Sequence, residues 1–273
     1  MKLRAVALVL AIGLAVPAAS AAAAPPVPTG QGYVVASRAG GAFAFGSARY
    51  EGSLIGSGIH TNDVVGIQVL ASGRGYWIVR STGQVYAYGQ AKYYGSAHAV
   101  VPIVGLAATP DGLGYWLIDQ DGDIWTMGDA HYYGSPVSMG VNVRNIVAMV
   151  ATADGKGYYV ATATGTVYSF GDAAFHDQFR APFGSPTVSI ALDSATGGFW
   201  LVSANGGIYA FHAHYYGNSP SGRSYPIVAM ASTPDSGGYW LVNSQGTVFV
   251  HGDAAFLGPA TSSAAPFVGF GSD

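Results

Sequence analysis

The stretch GYWLIDQDGDIWTMGDAHYYG, Gly114 to Gly134, decides the fold. An apolar run is followed by a polar Asp-Gln-Asp-Gly-Asp turn, a second run and a short aromatic tail, the pattern of two strands around a hairpin with a third segment attached. The pattern occurs six times. The aromatic that opens each copy stands at Tyr33, Tyr76, Tyr115, Tyr158, Phe199 and Tyr239, so the intervals are 43, 39, 43, 41 and 40 residues. A period of about 40 to 45 residues built from short strands is the signature of propeller blades.

Each copy divides into four expected strands, a to d from the axis outward. Strand a is apolar throughout, as at Val64 to Ala71, Ile103 to Ala108, Ile146 to Ala151, Val188 to Leu192 and Ile227 to Ser232. Near-continuous hydrophobicity suits a strand packed on both faces. Strand b is the Gly-Tyr-Trp segment, and its second aromatic is Trp77, Trp116, Tyr159, Trp200 and Trp240, with Val34 in the first copy. These tryptophans recur in register, as wedges between blades do. Trp125 instead replaces a Tyr or Phe of strand c. The b–c turn keeps a glycine at Gly40, Gly83, Gly122, Gly165, Gly206 and Gly246, and Asp121-Gly122 and Asn205-Gly206 are strong hairpin signals because both residues tolerate positive φ. Strand c alternates, as in Val85-Tyr86-Ala87-Tyr88. Strand d is short and aromatic: Arg49-Tyr50, Lys92-Tyr93-Tyr94, His131-Tyr132-Tyr133, Ala174-Phe175, His214-Tyr215-Tyr216 and Ala255-Phe256-Leu257. Its polar leading residues read as protection of an exposed edge.

The first copy starts at Gly32 with strand b and lacks a strand a, while Pro266-Phe267-Val268-Gly269-Phe270 matches Pro102-Ile103-Val104-Gly105-Leu106. The expectation is an all-β, six-bladed propeller of four-stranded blades over residues 32–273, its first blade completed by the C-terminal strand.

Residues 1–21 have Lys2 and Arg4, an apolar run from Ala5 to Ala15 and a small-residue tract, the pattern of a secretory signal peptide cleaved after Ala21. The run is too short to span a bilayer. A Pro-rich leader covers residues 22–31. The reading is a secreted monomer, with association to a cell wall open and no membrane segment after cleavage. Loss of Lys2 and Arg4 leaves nine basic against 14 acidic residues, a formal charge of −5, which disfavours nucleic acid as a partner.

These residues resemble secreted bacterial propeller-repeat proteins whose blades read roughly GYWLV, a polar DG turn, VFAFGDA and FYGS. The repeats are similar in plan to WD-type and TolB-type blades without the Trp-Asp ending of the former. The resemblance implies a secreted β-propeller, often of unknown ligand and sometimes found beside cell-wall-active domains.

No signature of catalysis is legible. There is no GxSxG, no HExxH and no sialidase Asp-box, and Glu51 is the single glutamate. Asp119, Asp121 and Asp123 resemble the start of a calcium loop but lack the later bidentate acid, so a hairpin turn is the stronger reading. Asp129, Asp172 and Asp253, from recurring Gly-Asp-Ala, read as caps of the c–d turn. His212 and His214 could form a two-nitrogen half-site for zinc or copper, although an edge role fits His214 better because His131, Lys92 and Arg49 share its place. No cofactor or metal is expected.

Scaffold positions repeat, whereas positions that read a ligand need not. The d–a connections vary most: residues 52–63, 96–101, 135–145, 177–186, 218–225 and 259–265. Loops on a rigid scaffold are a common seat of function. His60, Asn62, His98, Asn142, Arg144, Phe179, Arg180, Arg223 and Tyr225 are the candidate ligand residues, and their arginines could fork to a carboxylate or acidic sugar. The expected function is a non-catalytic binding module for a cell-wall or environmental glycan or a protein partner. The alternative is a channel-mouth hydrolase or lyase acting on carbohydrate.

Overall fold

The computed structural model describes residues 30–176, 184–219, 225–260, 263 and 265–273. The expected signal peptide, most of the Pro-rich leader, and the candidates Phe179, Arg180 and Arg223 lie outside the described residues.

The apolar runs become strands where the repeat places them. The chain opens with β1 (Gly32–Ser37) and β2 (Ala42–Gly46). The second sheet is β3 (Val64–Val69), β4 (Gly75–Arg80) and β5 (Val85–Gly89), and the third is β6 (Ile103–Ala108), β7 (Gly114–Asp119) and β8 (Ile124–Gly128). The fourth is β9 (Ile146–Ala151), β10 (Gly157–Thr162) and β11 (Val167–Gly171). The fifth is β12 (Thr187–Leu192), β13 (Phe199–Ser203) and β14 (Ile208–Phe211). The sixth is β15 (Ile227–Ser232), β16 (Gly238–Asn243) and β17 (Val248–Gly252). Last comes β18 (Phe267–Ser272), which pairs antiparallel with β1, Tyr33 opposite Ser272 and Val35 opposite Phe270. The first sheet therefore has the order β18-β1-β2, drawn from both ends of the chain.

Six antiparallel sheets of three strands, with β18 lying against both β3 and β15, are consistent with a six-bladed propeller. The sequence reading of four strands per blade is corrected in one respect. Among the described residues the d segments form no ladder with strand c. Side chains hold them instead. Nε1 of Trp77, Trp116, Trp200 and Trp240 donates to the carbonyl of Lys92, His131, His214 and Ala255 at 2.7 to 2.8 Å. A segment of two or three residues offers too few backbone bonds for a ladder, and the indole supplies one fixed attachment.

Each tryptophan also meets the opening tyrosine of the next sheet. Trp77 and Tyr115, Trp116 and Tyr158, Trp200 and Tyr239, and Trp240 and Tyr33 have ring centroids 5.4 to 5.6 Å apart. All eight rings are fully buried, so the wedge reading holds. Offset and edge contacts of this kind add to the area the rings bury. The tyrosine hydroxyl completes the seam by donating back to the preceding d segment: Tyr76 to Gly52, Tyr115 to Gly95, Tyr158 to Gly134, Tyr239 to Gly217 and Tyr33 to Gly258. Burial pushes these phenols up, Tyr33, Tyr76 and Tyr158 to about 12.

The seam between the fourth and fifth sheets departs from this plan. Phe199 replaces the tyrosine and Tyr159 the tryptophan, and the Tyr159 hydroxyl donates to the Gly197 carbonyl at 2.9 Å. His212, at φ 50°, occupies the place where five other sheets have a glycine with φ of 64 to 69°. Its ring stacks on His176 at 5.1 Å.

Every inner strand carries a bulge at its second residue. The unpaired residue is valine in all six: Val65, Val104, Val147, Val188, Val228 and Val268. A bulge turns one side chain out of the regular pleat. Here the six valines line the central channel, a cavity of about 200 Å³ bounded by all six inner strands. Small residues follow them. A Cβ on Gly269 would lie 2.9 Å from the backbone nitrogen of Ile67, so the backbones of β18 and β3 approach as closely as they do only because that position is glycine.

Candidate functional site

The six inner strands run from the d–a connections at one end of the channel to the a–b turns at the other. The d–a candidates His60, Asn62, His98, Asn142, Arg144 and Tyr225 are all exposed. None of them lines a described cavity. On this side Asp63 forms an ion pair with Arg80 at 2.7 Å, tying one connection to the end of β4. Burial pushes the Asp63 carboxyl up, but hydrogen bonds from Arg80 and Thr61, with the guanidinium charge, outweigh it and hold the group below its ordinary value.

A second hollow adjoins the other end. It has a volume of about 490 Å³ and shares Gln68, Leu192, Ser232 and Ser272 with the channel, so it forms the channel's mouth on the a–b turn face. Five sheets contribute to it. The second sheet supplies Gln68, Ser72, Gln90 and Lys92, and the third supplies Thr109 and Asp111. Ser194, Thr233 and Asp273 come from the fifth, sixth and first. Leu70, Pro110, Leu192 and Pro234 provide apolar surface between them.

Local folding explains most of these positions. The Thr-Pro-Asp-Gly turn orients its own side chains: Thr109 donates to Asp111 at 2.7 Å, and Asp111 accepts the Leu113 N–H at 3.0 Å. The Leu113 amide, followed by Thr109, holds Asp111 below the ordinary carboxylate range. Asp273 is fixed by the Ser47 hydroxyl at 2.6 Å and by its own N–H, which donates to Gly32. Its other carboxylate oxygen, Oδ1, is buried without a hydrogen-bond partner among the described residues. Ser272 donates to the Ser232 carbonyl at 2.9 Å, joining first and sixth sheets at the rim of the hollow.

The Gly-Asp-Ala aspartates reach the a–b turn of their own sheet. Asp129, Asp172 and Asp253 each lie 3.1 to 3.2 Å from the threonine hydroxyl that also serves Asp111, Asp154 and Asp235. Three Thr-centred carboxylate pairs result. In the last, burial and then the neighbouring Asp235 push Asp253 up, while the Gly237 N–H and Thr233 hold Asp235 down. Sequence reading missed these pairs. The signal was present in Thr-x-Asp recurring about 20 residues before Gly-Asp-Ala.

Asp119 ends β7 and its side chain holds the hairpin turn that follows. Asp119 is buried, and one oxygen accepts the N–H groups of Asp121 and Asp123 at 3.0 and 2.9 Å. Burial pushes its carboxyl up. His212 faces His176, whereas His214 lies 4.6 Å from Tyr216, so the two histidines turn to different partners. Among the described residues no group of three or more His, Asp or Glu side chains converges as metal ligands do.

The fold is that of a β-propeller built from sequence repeats. A chain in the crystal structure of a nidogen/laminin complex is similar over 89% of this chain and 98% of its own, with a TM-score of 0.61 and 9% sequence identity. At that identity the likeness concerns the fold alone. No family model matches the sequence, and no curated protein does.

Proposed function

We propose that the chain is a secreted, monomeric, closed six-bladed propeller that acts as a non-catalytic binding module and takes an oligosaccharide in the hollow at the a–b mouth. The observation that carries this reading is the lining. Polar side chains of Gln68, Ser72, Gln90, Thr109 and Ser194 and the carboxylates of Asp111 and Asp273 line it beside apolar strips, and Lys92 is the one cation among the described lining residues. Small-ligand sites combine a few convergent polar groups with apolar surface in this way, and the hydroxyl groups of a sugar can donate to carboxylate and amide oxygens and accept from amide and hydroxyl donors.

A glycan array probed with the purified protein tests the reading. Saturable binding without turnover supports it, as does a loss of about tenfold or more in affinity for the paired variant Gln68→Ala, Gln90→Ala, given about 0.5 to 1.5 kcal/mol for each hydrogen bond removed. Release of product from an array sugar overturns the non-catalytic reading. Unchanged binding by the variant removes the mouth as the site.

A protein ligand is the second reading, favoured by the fold neighbour whose structure is a complex of two proteins. That partner would engage the d–a face, with His60, Asn62, His98, Asn142, Arg144 and Tyr225, together with Phe179, Arg180 and Arg223 from the same connections.

A further inference from the structure

Each d segment presents one aromatic side chain to solvent: Tyr50, Tyr93, Tyr132, Phe175, Tyr215 and Phe256. They hold the same place in all six repeats and remain between 49 and 70% exposed. An isolated exposed aromatic needs no explanation. Six at one register position, one per sheet, call for one, because packing explains a recurring aromatic only where it is buried. The residues around them show what packing does at this location: Ala48, Ala91, Ala130, Ala173 and Ala254 of the same segments are buried.

Three of the rings are steadied by a serine. Tyr50, Tyr93 and Tyr132 make hydroxyl contacts with Ser53, Ser96 and Ser135 at 3.3, 3.1 and 3.0 Å. Their hydroxyl ends are thus tethered while about half or more of each residue stays exposed. Phe175 and Phe256 carry no hydroxyl, so hydrogen bonding cannot be what all six have in common. What they share is an aromatic ring at the same register position with about half or more of the residue exposed.

The arrangement selects the occupant. The d segments lie at successive seams of the sheets: the glycine after each of Tyr94, Tyr133 and Leu257 sits over a strand-c side chain of the following sheet, Met127, Phe170 and Phe45 respectively. Platforms distributed over successive seams face different directions. A bilayer or one flat protein surface meets only a small part of such a set, and a stable protein interface wants about 800 Å² of continuous area per partner. A repeating ligand with a small flat unit can use each platform in turn. Pyranose rings fit, since their C–H faces stack on aromatic π faces.

We propose that these six aromatics are equivalent platforms for the sugar rings of a polysaccharide, making the propeller multivalent along its outer wall. This deepens the glycan reading and uses a surface separate from the channel mouth. Single platforms bind weakly. Joint engagement of two or more by one polymer raises apparent affinity by about 10² to 10⁴.

The test is co-sedimentation of the purified protein with suspensions of cellulose, chitin and peptidoglycan sacculi. The wild type is retained on at least one of them, and a variant with all six aromatics replaced by alanine loses about 100-fold or more in apparent affinity. A variant with the four tyrosines changed to phenylalanine keeps its binding. Circular dichroism confirms that both variants fold, as expected for exposed positions. Retention on none of the three polymers, or equal retention of the six-alanine variant, overturns the proposal. The Gln68→Ala, Gln90→Ala variant separates the two readings. If it loses its array sugar but still sediments with polymer, both stand, and if the wild type binds no array sugar yet sediments through its aromatics, only the mouth reading falls.

Discussion

Tyr158→Phe removes a single oxygen that serves two backbone groups across one seam. The Tyr158 hydroxyl donates to the Gly134 carbonyl at 2.5 Å and accepts the Tyr133 N–H at 3.1 Å, and the ring is fully buried. Phenylalanine fills the same space and leaves both groups without their partner. An orphaned buried polar group costs about 1 to 3 kcal/mol, so the pair costs about 2 to 4 kcal/mol once some water access is allowed for. The assay is equilibrium urea unfolding at pH 7, followed by tryptophan fluorescence. The same oxygen gives a second reading in alkali. Burial raises the Tyr158 phenol from 10.0 to about 12, so the folded state prefers the neutral form. Its contribution is complete below pH 10 and is lost as the pH climbs to about 12, where the shift corresponds to on the order of 2 to 3 kcal/mol. The wild type should therefore weaken steeply over that interval, and Tyr158→Phe should weaken less. A variant as stable as wild type at pH 7, with an unaltered alkaline slope, would refute the role given to the seam hydroxyls.

Two further perturbations probe the same scaffold. Trp116→Ala deletes a fully buried indole together with its bond to the His131 carbonyl and should cost about 3 to 5 kcal/mol; an unchanged melting temperature would mean that the ring is free for ligand. Gly269→Val puts side-chain atoms where a Cβ alone would stand 2.9 Å from the Ile67 nitrogen, so β18 and β3 must separate, with a loss of about 1 to 3 kcal/mol or more by calorimetry. A neutral result there would show that β18 does not seat against β3 in solution.

Much of the architecture was readable because a repeat samples its own constraints. The opening tyrosine stands in five copies and the tryptophan after the opening aromatic in four, so their burial could be inferred from register alone, and the match of Pro266 to Phe270 with Pro102 to Leu106 located the strand that joins β1. The d segments were misjudged as strands because aromatic content signals β propensity without saying whether a neighbouring backbone is available to pair. Their attachment runs through Trp Nε1, a side-chain bond that no propensity reports. The bulges were equally hidden. Valine stands second in all six inner strands, yet only the register of Val64 and Gly66 against Arg80 and Val79 shows that Val65 is the unpaired residue. The mouth hollow was missed for a different reason. Its lining comes from turns that look alike in every repeat, whereas variation between the repeats points to the loops that differ. The departure at the fourth seam was visible in Tyr159, Phe199 and His176, but its meaning depends on which hydroxyl each replaced residue would have supplied.

The pairing of β1 with β18 sets a condition on the order of events during synthesis. A polypeptide that emerges from the ribosome with its N-terminus first has β1 available early and β18 only at the end, so one edge of β1 waits unpaired while every other sheet can assemble from neighbouring sequence. Bringing such distant ends together costs on the order of 5 kcal/mol of chain entropy.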